Sequence, residues 1–384
     1  MSAPAGPLAG LRVLECTGLG PTPFCAMVLA DLGAEVVRLE RCGLPPGAPG
    51  VLDRRHVLTR GRPAVGMDFK DERVRALVLR MLGHADVLVE GFRPGVMERL
   101  GLGPEPCLEA NPALVYARVT GYGREGPLAE AAGHDINYIA LAGALDPVGG
   151  RGRAPVPPLN LVADFGGGGM LLVTGILAAL VERSRSGRGQ VVDAAMVDGA
   201  ALLTTMFHEM RAFGSWRDER GTNSLDGGAH YYNVYETADG RHLAVGAMEA
   251  RFYRAFMEGL GYAPDAVPPQ DDPAQWERRT AEVAAIVRTR TRAQWLEVFA
   301  GTDACVTPVQ SLAEAPAHPQ LRARATFVDV GGVPAPAPAP RFSRTPAAVP
   351  APAPPAGVHD LGALGAFGVT AEDLAPLVAA GVVD

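Results

Sequence analysis

The feature that most constrains the fold is a regular alternation of short apolar runs with helical runs over the first third of the chain. The strand-like runs are residues 11–15, 35–39, 64–68, 87–90 and 114–119. The helical runs between them are residues 23–32, 73–82 and 96–100. Strands joined through helices pair in parallel, and a parallel sheet is covered by helices on both faces. The sequence therefore predicts a doubly wound α/β domain.

A different pattern begins after residue 221 and predicts a second, smaller domain. Two alternating runs, 231–237 and 242–247, flank the dipeptide Asp239-Gly240, which is typical of a tight β-hairpin. A helix is expected over 252–260, so this part has α+β character. The predicted boundaries are 1–200 and 330–384 for the large α/β domain, 201–225 for a linker helix, and 226–329 for the small α+β domain with a return strap.

Two stretches have unusual composition. A long helix is predicted over 165–185, yet it begins with four glycines, 166–169, which are poor helix formers. Such a run indicates that another backbone or a ligand approaches closely. Residues 331–357 are dominated by proline and alanine, which predicts an extended strap without a packed element.

Composition excludes several classes of function. The net charge of −7 over 384 residues argues against nucleic-acid binding, which needs a basic field. Five cysteines without a CxxC argue against a metal site or disulfide framework and favour a reducing compartment, the cytoplasm. The longest apolar run, about 170–181, is too short to span a bilayer, so no membrane partner is expected.

Two loops near the N-terminus need separate interpretation. Gly18 and Gly20 form a GxG, but Pro23 stands where a dinucleotide fingerprint needs its third glycine, so a tight turn is the better reading. Residues 41–63 indicate a long surface loop. Its basic residues make it either a functional loop or a solvated segment. They are Arg54, Arg55, Arg60 and Arg62.

Three ionisable residues are candidates for chemistry, each with a simpler alternative. His134 precedes a helical run and could be an ordinary loop histidine. Asp164 lies at the expected start of the glycine-rich helix, where an N-cap aspartate is common and the helix dipole favours the anion. Glu249 follows the hairpin and could be solvated. Pattern alone favours the simpler alternative for each of the three residues.

Longer sequence segments help to decide between the catalytic and the structural readings of these three residues. They are residues 32–38, 90–95, 133–138, 158–161 with Asp164, 187–190, 225–229, 245–249 and 301–308. In order and spacing they resemble the family III CoA-transferase (CaiB/BaiF) superfamily and, within it, the α-methylacyl-CoA racemases. The resemblance runs from about residue 7 to residue 344 and does not cover the proline-rich strap or the tail.

The resemblance implies a racemase that interconverts (2R)- and (2S)-2-methylacyl-CoA by 1,1-proton transfer through an enolate. His134 and Asp164 would exchange the proton on opposite faces, and Glu249 would hold the second imidazole nitrogen. No separate cofactor is expected, because CoA is part of the substrate. The main alternative is a CoA-transferase with Asp164 as nucleophile. A non-catalytic acyl-CoA-binding protein would not need all three residues.

The resemblance also implies where CoA and a second subunit bind. Arginine matches phosphate oxygens well, which suits a polyanionic ligand. An interlocked homodimer is implied, with the site between the large domain of one subunit and the small domain of the other, and it stays open which subunit supplies Glu249. The implied CoA-binding residues are Arg41, Gly91, Phe92, Arg93, Arg99, Gly133, Asp135, Ile136, Asn137 and Tyr138, with backbone N–H groups such as that of Asp135 binding the enolate oxygen.

Overall fold

The computed structural model describes residues 6–43, 56–355 and 358–384. Predictions for Arg54 and Arg55 lie outside the described residues. The chain forms two compact units. Unit 1 contains Met1–Ala142, Leu159–Leu203 and Pro319–Asp384, and unit 2 contains Gly143–Pro158 and Thr204–His318.

The secondary structure follows the predicted alternation. The strands are β1 Arg12–Cys16, β2 Glu35–Arg41, β3 Ala64–Met67, β4 Val87–Glu90, β5 Val115–Thr120, β6 Gln190–Ala195, β7 Tyr232–Glu236, β8 His242–Gly246, β9 Val306–Pro308, β10 Phe327–Val330 and β11 Val333–Pro336. The α-helices are α1 Pro21–Asp31, α2 Glu72–Leu82, α3 Val96–Arg99, α4 Pro104–Ala110, α5 Asp135–Leu141, α6 Leu171–Ser186, α7 Met196–Leu203, α8 Thr205–Ala212, α9 Ala250–Gly259, α10 Trp276–Val287, α11 Arg292–Val298, α12 Pro319–Ala323 and α13 Ala371–Ala379.

Unit 1 is built on a six-stranded parallel sheet in the order β3-β2-β1-β4-β5-β6. This confirms the predicted α/β fold with a large parallel sheet. Strand β6 was not predicted, because residues 191–196 were read only as part of the core. The strand order reverses direction between β1 and β4, which creates a crevice at their carboxyl ends.

The glycine-rich segment is tightly packed against neighbouring backbone. Leu161–Met170 is π-helical rather than α-helical and continues directly into α6. A Cβ atom on Gly199 of α7 would overlap the carbonyl oxygen of Gly167, and one on Gly169 would lie 2.6 Å from Cδ1 of Phe24 in α1. The prediction of a close approach is confirmed, and the approaching groups belong to α1 and α7.

The continuous helix Leu161–Ser186 is longer than the sequence indicated. Its 26 residues are enough, by length and composition alone, to cross a bilayer, whereas the predicted apolar run covered only 170–181. Leu172, Val173 and Ile176 are buried within unit 1, where α6 packs against β5 and β6. Buried core helices can have the same length and composition.

The prediction that residues 41–63 form a surface loop is wrong for Arg60 and Arg62. Both side chains are buried. Arg60 pairs with Asp31 of α1, and Arg62 pairs with Glu15 of β1. Buried carboxylates on neighbouring elements draw these arginines inward, since a buried charge needs a partner of opposite sign.

The proline-rich strap also differs from its prediction, because it contains a packed strand. β10 and β11 form an antiparallel hairpin joined by Gly331 and Gly332, with φ of 64° and 87°. Ala335 is 1% exposed, and the carbonyl oxygen of Pro336 accepts a hydrogen bond from Arg60 at 2.8 Å. Paired glycines between two apolar runs are a hairpin signal that the surrounding proline content obscured.

Unit 2 contains a three-stranded antiparallel sheet, β7-β8-β9. The β7–β8 hairpin is confirmed, and Gly240 in its turn has a φ of 69°. Unit 2 also includes Gly143–Pro158, which the predicted boundaries assign to the large domain. The predicted linker helix 201–225 is helical only to Ala212, since Gly214 turns left-handed with a φ of 70°. The other boundaries stay a prediction.

Candidate active site

The crevice in the sheet of unit 1 gathers residues from two loops. In sheets of this order, ligands bind outside the carboxyl ends of the strands where the strand order reverses. Gly91, Phe92 and Arg93 follow β4 at this edge. A Cβ atom on Gly91 would overlap Oγ1 of Thr22 at the start of α1. Only glycine therefore lets this loop lie against α1.

Three predicted CoA-binding arginines are exposed near this edge. Arg41 ends β2, Arg93 follows β4, and Arg99 ends α3. None of the three guanidinium groups forms an ion pair with another residue that the structure describes. Arginines without a counter-charge among the described residues, near the carboxyl edge of a sheet, suit a phosphorylated ligand.

The side chain of Glu90, the last residue of β4, hydrogen-bonds the loop that follows the strand. The sequence analysis did not single out this residue. Glu90 is 2% exposed, and its Oε2 accepts a hydrogen bond from the backbone N–H of Phe92 at 2.8 Å. Burial raises the pKa of this carboxyl to about 7, although the Phe92 hydrogen bond opposes the shift. Glu90 thus anchors the loop that carries Arg93.

This raised pKa makes stability depend on pH. The folded protein binds the Glu90 proton more tightly than the unfolded chain does, so the stabilisation is complete below about pH 4.5 and is lost as the pH rises through about 7. The Glu90→Gln variant keeps an acceptor for the Phe92 N–H without the charge. In urea unfolding, we expect the free energy of unfolding of the variant to rise relative to that of the wild type as the pH increases through that window. The expected change is on the order of 3 kcal/mol. A constant difference between the two proteins from pH 4.5 to 8 would contradict this assignment.

His134 stands at the N-terminus of α5, where its backbone is extended. Its backbone N–H donates to Oδ1 of Asn137 at 3.0 Å, and its exposed side chain faces the backbone N–H of Asn137 in a capping box. The N–H groups of Asp135 and Ile136 have no acceptor within the described chain. These two backbone donors are therefore available to a ligand.

Tyr138, on the buried side of α5, fixes the chain just ahead of His134. Its hydroxyl donates to the carbonyl oxygen of Gly133 at 2.5 Å, and its ring meets that of Tyr122 edge-on at 4.9 Å. Burial raises the pKa of this phenol to about 12, so it stays protonated. These contacts give Tyr138 and Gly133 a structural task, and their contact with CoA stays a prediction.

Asp164 lies in the first turn of the π-helical segment and is half-buried. Its Oδ2 accepts a hydrogen bond from the side chain of Asn160 at 3.1 Å, and a Cβ atom on Gly20 would lie 3.2 Å from the same oxygen. Burial raises the pKa of the Asp164 carboxyl. Asn160 and the nearby His134 lower it, while Asp135 raises it further. Burial is the largest of these influences.

The side chain of Asp135 connects the two candidate groups. Its Oδ2 accepts hydrogen bonds from the backbone N–H groups of Ala163 and Asp164, both at 2.7 Å. The starts of α5 and of the π-helical segment therefore adjoin, and the charge of His134 acts on the carboxyl of Asp164. The joint role of His134 and Asp164 in catalysis stays a prediction. The capping role of the Asp135 side chain was missed, because its partners lie 28 and 29 residues further along the chain.

Glu249 belongs to unit 2. It is the exposed N-cap residue of α9, and its charge adds to burial in raising the pKa of the Cys305 thiol. Its proposed partnership with the imidazole of His134 stays a prediction.

The other candidate sites considered are a metal site and a cavity, and neither includes the predicted site residues. Within the described ranges, no group of three or more His, Cys, Asp or Glu side chains could hold a metal ion. A large cavity of about 1050 Å³ lies in unit 2, lined by residues that include Arg217, Asp226, Tyr232 and Trp276. It contains none of the predicted site residues. We therefore take the hydrogen-bonded geometry around His134 and Asp164, rather than cavity size, as the guide to chemistry.

Comparison with known proteins gives consistent similarities. Residues 8–360 match the family described as CoA-transferase family III. A Mus musculus protein named alpha-methylacyl-CoA racemase is 46% identical over 372 residues, which cover 96% of each chain. A Homo sapiens protein of the same name is 45% identical over 345 residues, covering 88% of this chain and 87% of that protein. The crystal structure of the hypothetical protein Rv3272 from Mycobacterium tuberculosis is 29% identical with a TM-score of 0.77, covering 94% of this chain and all of that one. The family match includes every candidate residue discussed above.

Proposed function

This chain belongs to CoA-transferase family III, and on that premise we propose that it is a racemase that interconverts (2R)- and (2S)-2-methylacyl-CoA thioesters. Identity of 45–46% to two proteins named alpha-methylacyl-CoA racemase supports this activity over CoA transfer. The structural observation that carries the proposal is the pairing of an exposed imidazole, His134, with a half-buried carboxyl, Asp164, at adjoining helix starts. A role in lipid metabolism follows from this activity.

The reaction needs two groups that share one proton. One of the pair, His134 or Asp164, removes the α-proton, and the other returns a proton to the opposite face of the planar carbon. The raised pKa of Asp164 makes its carboxylate a stronger base than a free aspartate, which suits removal of the α-proton. In the intermediate, negative charge moves to the thioester oxygen. The backbone N–H of Asp135, which has no acceptor among the described residues, is our candidate donor to that oxygen.

Binding of the CoA portion is assigned to the edge beside this pair. Arg41, Arg93 and Arg99 would meet the phosphates, with Gly91 and Phe92 forming the adjoining loop. Ile136 and Asn137, exposed on the first turn of α5, would meet the ligand near the thioester. The activity would need no cofactor besides the CoA of the substrate.

We further propose a homodimer in which Glu249 holds the second nitrogen of His134, from the same or the other subunit. Exposed apolar side chains support a partner surface. α8 has no buried residue, Met206 on it is 48% exposed, and Phe213 just beyond it is 77% exposed. Exposed apolar residues of this size mark interaction surfaces. The cytoplasmic location and the absence of membrane and nucleic-acid partners stay predictions.

The proposed activity can be measured by proton exchange in D2O. Incubated with one epimer of a 2-methylacyl-CoA, the protein should yield both epimers and incorporate deuterium at the α-carbon. This exchange of the α-proton with solvent deuterium should not require an added carboxylate. If no deuterium enters, and CoA instead passes to an added carboxylate with inactivation by hydroxylamine, Asp164 acts as a nucleophile and the transferase alternative replaces the racemase.

A further inference from the structure

We propose that the carboxylate of Asp135 is a positioning residue that fixes the base Asp164 relative to His134. This inference rests on the proposed racemase function. It concerns the side chain of Asp135, separate from the backbone N–H that was assigned to the enolate oxygen.

The geometry of the link is short and directional. Asp135 follows His134 directly in the chain, and its Oδ2 accepts the N–H of Asp164 itself and that of Ala163. The first N–H groups of a helix have no partner within the helix, so this carboxylate satisfies two of them. One side chain thereby ties the residue beside the imidazole to the residue that carries the carboxyl.

The surroundings make this link rigid. Asp135 is 4% exposed, so solvent does not compete for its two hydrogen bonds. On the other side, Tyr138 of the same helix is buried and bonded to Gly133, which holds α5 in place. Charge-assisted hydrogen bonds to backbone N–H groups are short and strong, as the two 2.7 Å distances are. Proton transfer depends steeply on such placement, because a shift of about 1 Å can cost roughly 100-fold in rate.

The charge of Asp135 has a second effect, on the proton affinity of Asp164. A negative neighbour disfavours ionisation, and Asp135 is among the causes that raise the pKa of Asp164. The other groups facing Asp164 are Asn160, which donates a hydrogen bond, and His134, whose positive charge acts in the opposite direction. Asp164 in turn contributes to the raised pKa of Tyr138, a phenol that stays neutral at the pH of the reaction. Removing the Asp135 charge should therefore lower the pKa of Asp164.

Two substitutions separate the geometric effect from the electrostatic one. Asp135→Asn keeps an oxygen that can accept both N–H groups but removes the charge. We expect it to retain kcat within about tenfold, with the acid limb of the pH–rate profile moved to lower pH. Asp135→Ala removes the acceptor, and we expect kcat to fall by about 100-fold while KM changes by less than about threefold.

The sign of the shift follows from the shared proton. The active state carries one proton on the His134–Asp164 pair, so a second proton, taken up mainly by Asp164, ends activity on the acid side in both directions of racemisation. A lower pKa of Asp164 therefore moves the acid limb of the pH–rate profile to lower pH. A general loss of stability would scale activity at every pH and would move neither limb.

A matched control is available at the opposite end of the same sheet. Asp86 also accepts a backbone N–H through its side chain, that of Arg12, at 2.8 Å, just before β4. Asp86→Asn should leave both limbs of the profile unchanged. In parallel, the carboxyl signal of Asp164 can be titrated by carbon-13 NMR in aspartate-labelled wild type and Asp135→Asn, which needs no turnover.

The outcomes distinguish this inference from the proposed function. If the wild type exchanges deuterium but Asp135→Asn leaves the acid limb and the Asp164 titration unmoved, the role of Asp135 is overturned while the racemase stands. If the wild type does not exchange deuterium, the racemase fails, and a lowered Asp164 titration in Asp135→Asn still supports the link between the two residues. Should Asp135→Ala fail to fold, Asp135→Asn alone decides.

Discussion

Replacing His134 with alanine is expected to lower the rate of α-proton exchange by about 10²- to 10⁴-fold, the range that general acid–base catalysis supplies. The loss should appear in kcat rather than KM, because the proton moves only in the transition state. Little stability should be lost, since the imidazole is exposed to solvent. The helix loses the imidazole side of its capping box but keeps the hydrogen bond from the backbone N–H of His134 to Asn137.

The measurement is deuterium incorporation from each epimer, together with thermal unfolding of the same preparations. His84→Ala is the matched control, because His84 is also exposed in unit 1 but precedes β4, at the opposite edge of the sheet. The control should exchange at the wild-type rate. Full exchange by His134→Ala would remove the imidazole from the mechanism. Lost exchange with a lowered unfolding temperature would instead point to a structural role.

Much of the fold could be predicted because its signals are local. Short apolar strands, helices between them and the Asp239-Gly240 turn each leave a mark within about ten residues, and the parallel sheet and the β7–β8 hairpin follow from them. Strand β6 and the β10–β11 hairpin were missed for a different reason. Whether these segments form strands depends on the strands with which they pair. The composition around β6 indicated only a buried segment, and the composition around the hairpin indicated an extended strap.

The site shows the same division between local and distant effects. Resemblance to a family selected His134 and Asp164, and both lie at the starts of helical segments as expected. The features that join them are not local. The bonds from Asp135 to the π-helical segment, and the support of the loop after β4 by Glu90, arise only when distant elements pack together. Sequence patterns within one element cannot report such contacts.

The buried ion pair between Arg62 and Glu15 is expected to be the most sensitive point of unit 1 for stability. Both side chains are fully buried at a separation of 2.5 Å, with Arg62 also bonded to the carbonyl oxygen of Leu58. Removing the guanidinium leaves the Glu15 carboxylate in the core without its ion-pair partner, although the charge of the buried Arg38 still acts on it. We therefore expect Arg62→Ala to lower the free energy of unfolding by about 3–5 kcal/mol.

Urea unfolding at pH 7 measures this loss, and two comparisons locate its cause. Arg73→Ala removes an exposed ion pair with Asp71, in which the arginine side chain is 54% exposed. It should cost far less than Arg62→Ala, because solvent screens an exposed pair. Replacing both Arg62 and Glu15 with methionine removes the unpaired charge and should recover much of the loss, because apolar side chains of similar size can substitute for a buried pair. If Arg62→Ala unfolds like the Arg73 variant, the guanidinium is not compensating a buried charge. If the double variant is as unstable as Arg62→Ala, lost packing rather than the stranded carboxylate is the cause.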